Sequence, residues 1–452
     1  MTQIAIRRAE KKSGLVRTIL RTSAVNVLIL VVSTLTSIVT ARMFGVVGKG
    51  EFSAVLFWPT LLAGLVGFGL PTSLIYNIKL RKESGGEFVR AGFLFLIPVC
   101  LIAGIVAWNG LPVWLGQYPE AVVRTARWYT AFMLPMLLAV NLLSALAQST
   151  DKFNVYNGLR LLLPLCNLIG LAGLWAAGSL SIPHAALAFL ATSLIVLIGT
   201  WYGLGEAVRI RWFNRRGGLA AAKSLFGYGS KVFGVELLGT LYSQFDKIVI
   251  LAMLTAKELG LYTVVYALSR VFNSVQMAVA NVVFPKVSGQ DKSRIVATVG
   301  RAFRISTIVM ALVLIPSLAV GRFLIGALFG EEFLEASDAL YILSVECILG
   351  GGSWILASAF NAMGRPGLVL IRQAIALAAT VGLFFVLTPA YGLNGIALAL
   401  LIGALIRLAV TMAALKMAFR VRVRDVLFDQ NDFRILLGRL KEIRRKGERG
   451  NA

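Results

Sequence analysis

Apolar runs of about 20 residues recur almost end to end along this chain, each long enough to cross roughly 30 Å of hydrocarbon as a helix. Charged or Pro/Gly-rich breaks between them predict spans at 19–44, 52–78, 88–108, 128–148, 159–177, 185–204, 225–254, 259–287, 303–328, 339–363, 368–388 and 393–419. In lipid only helices and closed barrels satisfy every backbone polar group, so runs of this length predict an all-α polytopic membrane protein of about 12 transmembrane helices. Composition agrees. Of the 452 residues 58% are hydrophobic and 15% charged, and the mean hydropathy is +0.80, which leaves no room for a soluble domain between the spans. The basic N-terminus MTQIAIRRAEKKSGLVRTILR leads into a stretch long enough to span and without a small-residue cleavage pattern, so it is expected to be retained.

A net charge of +24 would suit a nucleic-acid binder if the cations shared one folded face. They do not. Of the 45 Lys and Arg, six are counted to alternate connections and the span ends beside them (Arg42, Lys49, Arg124, Arg127, Lys257, Arg322), four lie deeper within spans (Lys231, Lys247, Arg270, Arg407), and the remaining 35 are counted to the other connections, the span ends beside them and the tails. By the positive-inside rule the crowded side is cytoplasmic, both termini are cytoplasmic, and nucleic acid is not an expected partner. Cys100, Cys166 and Cys347 all fall in apolar runs, so neither a disulfide framework nor a metal site is expected.

The two halves match loosely at an offset of about 210 residues. Met43, Gly50, Phe52 and Ser53 meet Met253, Gly260, Tyr262 and Thr263; Arg21 meets Lys231; and Ala185-Ala186-Leu187-Ala188 meets Ile396-Ala397-Leu398-Ala399. Six spans return the chain to its starting side, so the repeats are parallel and predict two six-helix lobes around a central cavity. The expected division is an N-terminal lobe at 1–208, a basic cytoplasmic linker at 209–224, a C-terminal lobe at 225–419 and a basic tail at 420–452. The tail mixes Leu, Ile, Phe and Val with Arg and Lys, as either a helix lying on an anionic membrane surface or an unstructured extension would.

An ionisable group near the bilayer centre is costly and normally faces a bundle interior or a wet cavity. Such groups concentrate in the second half: Glu236, Asp246, Lys247, Arg270, Glu346 and Arg407. At 1.5 Å per residue Glu236 and Arg270 both lie roughly 16 Å deep. They form either an anion site with a resident counter-ion or a structural pair. Arg21 and Lys231, equivalent in the repeats, stand at the cytoplasmic mouth, where they either capture a diphosphate or reach lipid phosphates. Asp246, beside Lys247 in the outer third of span seven, is a candidate outer gate or coupling-ion site or else structural; Glu346 and Arg407 form a second candidate pair. His184, the only histidine, is expected at the surface. Gly69-Leu70-Pro71, Phe284-Pro285 and Ile315-Pro316 are candidate breaks. No nucleotide-binding Gly-rich loop is present, so no cofactor is expected and energy must come from an H+ or Na+ gradient, the membrane potential or the substrate gradient.

Thr40-Ala41-Arg42-Met43-Phe44-Gly45 followed by Gly50-Glu51-Phe52, together with Asp246-Lys247-Ile248-Val249-Ile250-Leu251, Leu259-Gly260-Leu261-Tyr262 and Phe284-Pro285, resembles the polysaccharide-exporter, O-antigen-type branch of the multidrug/oligosaccharidyl-lipid/polysaccharide (MOP) superfamily. The resemblance covers nearly the whole chain. It implies two lobes forming a V with spans one, two, seven and eight lining a cationic cavity. It further implies a flippase for undecaprenyl-diphosphate-linked oligosaccharide in the bacterial inner membrane, working by alternating access beside a polymerase and a chain-length regulator. Related lipid II flippases cluster cavity arginines in spans one, two and eight and add two spans; here span one offers only Arg21 and Arg42 and span two none. The residue carried over is Arg270.

On this reading the diphosphate binds Arg270 with help from Lys231, Arg21 and Arg42, no covalent chemistry occurs, and no catalytic residue is assigned. A cation-coupled multidrug extruder shares the fold but should prefer acidic cavity residues. A non-transporting scaffold for exopolysaccharide assembly would tolerate neutralising every deep charge, and a lipid-linked glycan enzyme would need outer-loop carboxylates in a cluster.

Overall fold

A computed structural model describes residues 2–81, 85–179, 181–205, 218–287 and 290–427, with side chains from residue 21 onward except at 284–286 and 425. The linker expected at 209–224 lies largely, and the tail beyond 427 entirely, outside the described residues. Every long element among them is a helix: α1 (Thr2–Val66), α2 (Leu70–Leu80), α3 (Gly85–Trp114), α4 (Glu120–Ser149), α5 (Phe153–Ala176), α6 (Ile182–Leu204), α7 (Gly218–Met253), α8 (Ala256–Val287), α9 (Lys292–Leu324), α10 (Ser337–Ala362), α11 (Gly367–Phe419) and the short α12 (Val423–Leu427). A π-helical turn at Ile325–Phe329 and a 3-10 turn at Glu331–Ala336 link α9 to α10. The protein is a multi-pass, all-α membrane protein.

Helix occupies each of the twelve expected segments, but among the described residues eight helices, not twelve, are long and apolar enough to cross a bilayer by length and composition. Two causes account for the difference. Helices α1 and α11 each carry two expected spans, joined at Gly45 (φ 65°, ψ −173°) and Gly392 (φ 53°, ψ −128°), where only glycine enters the left-handed half of backbone space without strain. Helices α7 and α8 are not among the eight, because Lys231, Glu236, Asp246, Lys247, Lys257, Glu258 and Arg270 interrupt their apolar runs. Expected span two is itself broken: α1 stops at Val66, Phe68 and Gly69 take φ of 49° and 65°, and α2 restarts with Pro71 in its first turn. Of the three proline sites only this one interrupts a helix; Pro285 and Pro316 lie inside continuous helices. Starts are locally encoded too. Ser181 caps α6, and Thr255 and Glu258 form a reciprocal capping box at α8.

The chain divides into two compact units, Met1–Ala267 with Ile325–Ala336, and Leu268–Leu324 with Ser337–Ala452, which part within α8. In the first, α7 packs against α1, α2 and α3, and Phe52, Val55, Leu74, Phe88, Leu111, Ala126, Tyr129 and Leu134 form its interior. In the second, α10 is the central helix. Three consecutive glycines let neighbours press onto it: a Cβ on Gly350 would stand 2.6 Å from Arg407 Nη2, on Gly351 2.0 Å from Gln276 Oε1, and on Gly352 2.8 Å from the Phe303 ring. Phe303, Ile355, Phe360, Met412, Phe419 and Val426 fill the core beside it.

Candidate functional site

In the second unit, Leu268–Leu324 with Ser337–Ala452, two arginines converge on one carboxylate. Glu346, buried on α10, places Oε2 3.8 Å from Arg270 Nη1 of α8 and Oε1 3.7 Å from Arg407 Nη2 of α11. Gly350, one turn along α10 from Glu346, leaves the space that the Arg407 head fills. The three side chains differ in what they see. Those of Glu346 and Arg407 are 5% and 8% exposed, whereas Arg270 is 30% exposed. The triad thus has two sealed members and one that reaches an accessible surface. Sequence reasoning set Arg270 against Glu236 and Arg407 against Glu346; the structure brings Arg270 to Glu346 as well. Depth follows from residue count, but the direction in which a side chain leaves its helix depends on how the helices are rotated against one another.

Glu236 belongs to the other unit. Thr72 Oγ1 donates to its Oε1 at 2.6 Å, and the carboxylate lines a cavity of about 340 Å³ with Asn141, Thr240, Ser243, Gly64 and Pro71. Residues on both sides of the helix break at 67–69, Gly64, Gly67, Leu70 and Pro71, line it. A Cβ on Gly69 would stand 2.6 Å from the Gly229 carbonyl, so the broken corner lies directly on α7, and α2 sets off beside the cavity.

The remaining predicted residues separate. Asp246 is buried and accepts from the Tyr262 hydroxyl through Oδ2. Lys247 turns away to Gln244 Oε1 at 3.0 Å and lies 4.9 Å over the Tyr266 ring, as their offset of about 100° on a helix requires. Arg42 gives its donors to three carbonyls of the π-turn, Nε to Leu328 at 3.0 Å and Nη2 to Ala327 at 2.6 Å and Gly326 at 3.4 Å. Arg21 is exposed and bonds Asn154 Oδ1 at 2.6 Å; Lys231 is also exposed. His184 pairs with Ser181 Oγ at 2.9 Å in the first turn of α6.

Three buried cations stand in a connection or within a few residues of a span end, where the sequence reads a cation as topology. Lys49 is 7% exposed and its Nζ donates to Thr40 Oγ1 at 2.5 Å. Arg304 donates to the Val426 carbonyl. Arg372, 1% exposed, donates to the Ser353 carbonyl and to the Ser353 and Thr411 hydroxyls through Nη1, while its Nε and Nη2 have no partner among the described residues. Its place inside the apolar run Leu368–Phe385 was the available signal. Outside the spans, Gln117 Nε2 caps the end of α7 through the Leu251 and Leu254 carbonyls. The neighbouring Tyr118 phenol is pushed well above its ordinary range by burial, with Glu51 adding to the shift.

Residues 34–338, more than half of the chain, match the family model described as polysaccharide biosynthesis protein. A probable low-salt glycan biosynthesis flippase of Haloferax volcanii, Agl15, is 27% identical over 182 residues, which is 39% of this chain and 39% of that protein. Among solved structures, the lipid II flippase MurJ in an inward closed conformation superposes with a TM-score of 0.76 at 14% identity, covering 93% of this chain and 96% of its own. An inward-facing multidrug resistance MATE transporter of the MOP superfamily gives a TM-score of 0.70 at 15% identity, covering 86% and 94%. The chain therefore belongs to the polysaccharide biosynthesis protein family and has the multi-pass helical fold of the MOP-superfamily transporters.

Proposed function

We propose that the protein is a flippase, without enzymatic chemistry, that carries an undecaprenyl-diphosphate-linked oligosaccharide from the inner to the outer leaflet of the bacterial inner membrane by alternating access. Its chain crosses twelve times with both termini cytoplasmic, and an H+ or Na+ gradient or the membrane potential drives it. Family membership and the glycan-flippase relative support the substrate class. The observation that carries the reading is the graded triad. A diphosphate needs a cation with several donors, which a guanidinium supplies in a fork matched to phosphate oxygens. Arg270 is the accessible one of the triad's two arginines, and Glu346 compensates its charge from 3.8 Å. A phosphate that takes Arg270 leaves Glu346 opposite Arg407, so neither buried charge is stranded.

Reconstitution of the full chain into vesicles with a fluorescent undecaprenyl-diphosphate saccharide tests this. Arg270→Ala should slow transport about 10- to 100-fold, as loss of one charged hydrogen bond predicts, and Arg270→Lys should recover part of it. Wild-type transport by Arg270→Ala would refute the reading. One observation favours cation-coupled drug extrusion instead: Glu236 lines its cavity with no Lys or Arg among the described lining residues. Ethidium efflux from cells overproducing the chain, abolished by Glu236→Gln, would establish that alternative.

A further inference from the structure

The cavity beside the broken helix has a composition that neither a phosphate nor a metal ion would select. Among its described lining residues there is one carboxylate, Glu236, and no cation, so an anion entering it meets repulsion without compensation. A resident metal ion would require several converging oxygen ligands, and one carboxylate in about 340 Å³ is too sparse for that. The polar groups on offer are instead those of hydrogen-bond exchange with neutral molecules. Thr72 occupies one oxygen of Glu236, and the other has no partner among the described residues. The exposed Asn141 amide likewise has none there, and the Thr240 and Ser243 hydroxyls lie one helical turn apart on the same wall. The remaining walls are small or aliphatic: Ala63, Gly64, Gly67, Gly239, Leu96 and Leu138. An acceptor-only carboxylate, an amide with both donor and acceptor, and two hydroxyls on an otherwise apolar wall form the pattern that a ring with vicinal hydroxyls satisfies.

A second hollow adjoins it. Thr72, which holds Glu236, also lines a space of about 460 Å³ with Lys79 and the pair Tyr76 and Tyr228, whose rings stack 4.0 Å apart at 6°. The Thr72–Glu236 hydrogen bond joins the two spaces, and aromatic faces stand at one side of it.

We propose that this cavity is a sugar subsite, in which Glu236, Asn141 and Ser243 hold an uncharged, hydroxyl-bearing sugar of the lipid-linked substrate and disfavour an acidic one. The assignment rests on the flippase reading above but divides the labour within it. The Glu236 cavity reads the glycan, whichever groups hold the phosphates common to all such lipids. Uronic acids are disfavoured because their carboxylate faces Glu236 with no cation among the described residues that line this cavity, and Lys79 of the adjoining hollow is paired with Asp151.

The test uses the full chain in lipid nanodiscs and three probes: undecaprenyl diphosphate alone, the same lipid bearing one N-acetylglucosamine, and the same lipid bearing one glucuronic acid. Wild-type protein should bind the N-acetylglucosamine lipid about tenfold more tightly than the bare lipid, and the glucuronic lipid no more tightly than the bare one. In Asn141→Leu and Glu236→Gln the tenfold ratio should fall to about one, and Glu236→Gln should narrow the gap between neutral and acidic sugars. Ser243→Ala, a small change beside Glu236, should lower the ratio by a few fold and serves if the larger substitutions fail to fold. A ratio near one in the wild type, or one that survives these substitutions, overturns the subsite while leaving the flippase reading intact. Failure of the wild type to bind any of the three lipids overturns both. Ethidium binding lost in Glu236→Gln, with the sugar ratio unchanged, assigns the cavity to cations and overturns the proposal.

Discussion

Breaking the arginine–glutamate triad from each side should give different costs. Glu346→Gln keeps the shape of the side chain but leaves Arg407, 8% exposed, without the carboxylate 3.7 Å away. Removing the carboxylate partner of a buried charge in this way costs about 3–5 kcal/mol. Arg407→Met leaves Glu346 with Arg270 still 3.8 Å away, so the cost should be smaller, about 1–3 kcal/mol. Two unit charges about 4 Å apart interact by about 4 kcal/mol at an effective dielectric of 20, which bounds the coupling from above. The double variant Glu346→Gln/Arg407→Met should therefore be less destabilised than the sum of the single variants by about 1.5–3 kcal/mol. Arg270→Gln, at 30% exposure, is partly screened and should cost no more than about 1 kcal/mol. Unfolding of the purified chain by dodecyl sulfate in mixed micelles, followed by tryptophan fluorescence, gives the four free energies of the cycle. Additivity within about 0.5 kcal/mol would mean that Glu346 and Arg407 do not share a charge pair, and would remove the basis for treating Arg270 as the accessible member.

Other substitutions probe the rest of the fold. Gly260→Ala would bring a Cβ to 2.0 Å from the Val46 carbonyl, forcing α8 away from α1 and lowering stability by about 1–3 kcal/mol, whereas Gly234→Ala, with nothing within 4 Å, should be neutral or stabilising by up to about 1 kcal/mol; thermal unfolding in detergent separates them. Arg42→Gln removes donors from the carbonyls of Gly326, Ala327 and Leu328 and should speed hydrogen exchange across 325–336, with a cost of about 1–3 kcal/mol. Arg372→Met should be neutral or stabilising by up to about 3 kcal/mol, since two of its nitrogens are unsatisfied and no carboxylate pairs with it among the described residues; a loss above about 2 kcal/mol in the same micelle assay would contradict this.

The candidate site was legible in its parts and not in its pairings. That Glu236, Arg270, Glu346 and Arg407 lie well inside helices follows from counting from the ends of apolar runs. That Arg270 shares Glu346 with Arg407 depends on the triple glycine of α10, which lets α8 and α11 approach one helix from different sides. Arg372 and Lys49 illustrate the opposite error. Near the ends of apolar runs a cation is read as topology, yet both are folded into the protein, because a span's end need not coincide with the surface of the bundle. The break at Gly69-Leu70-Pro71 was visible as a motif, but the cavity beside it appears only when α7 is laid against the corner.

What the amino-acid sequence determined alone was the solvent, the class and the placement of the helices. Backbone hydrogen bonds that lipid cannot satisfy must close within each segment, so helix formation is a local property and the length and polarity of each run suffice to reveal it. Glycine and proline mark the corners for the same local reason. Tertiary structure decided which charge meets which, which cations are buried, and that Glu236 and Arg270 belong to different compact units. Those outcomes depend on the rotation of each helix about its axis and on the distance of closest approach between backbones, and both are set by side chains far apart in the sequence that pack against each other only once the chain has folded.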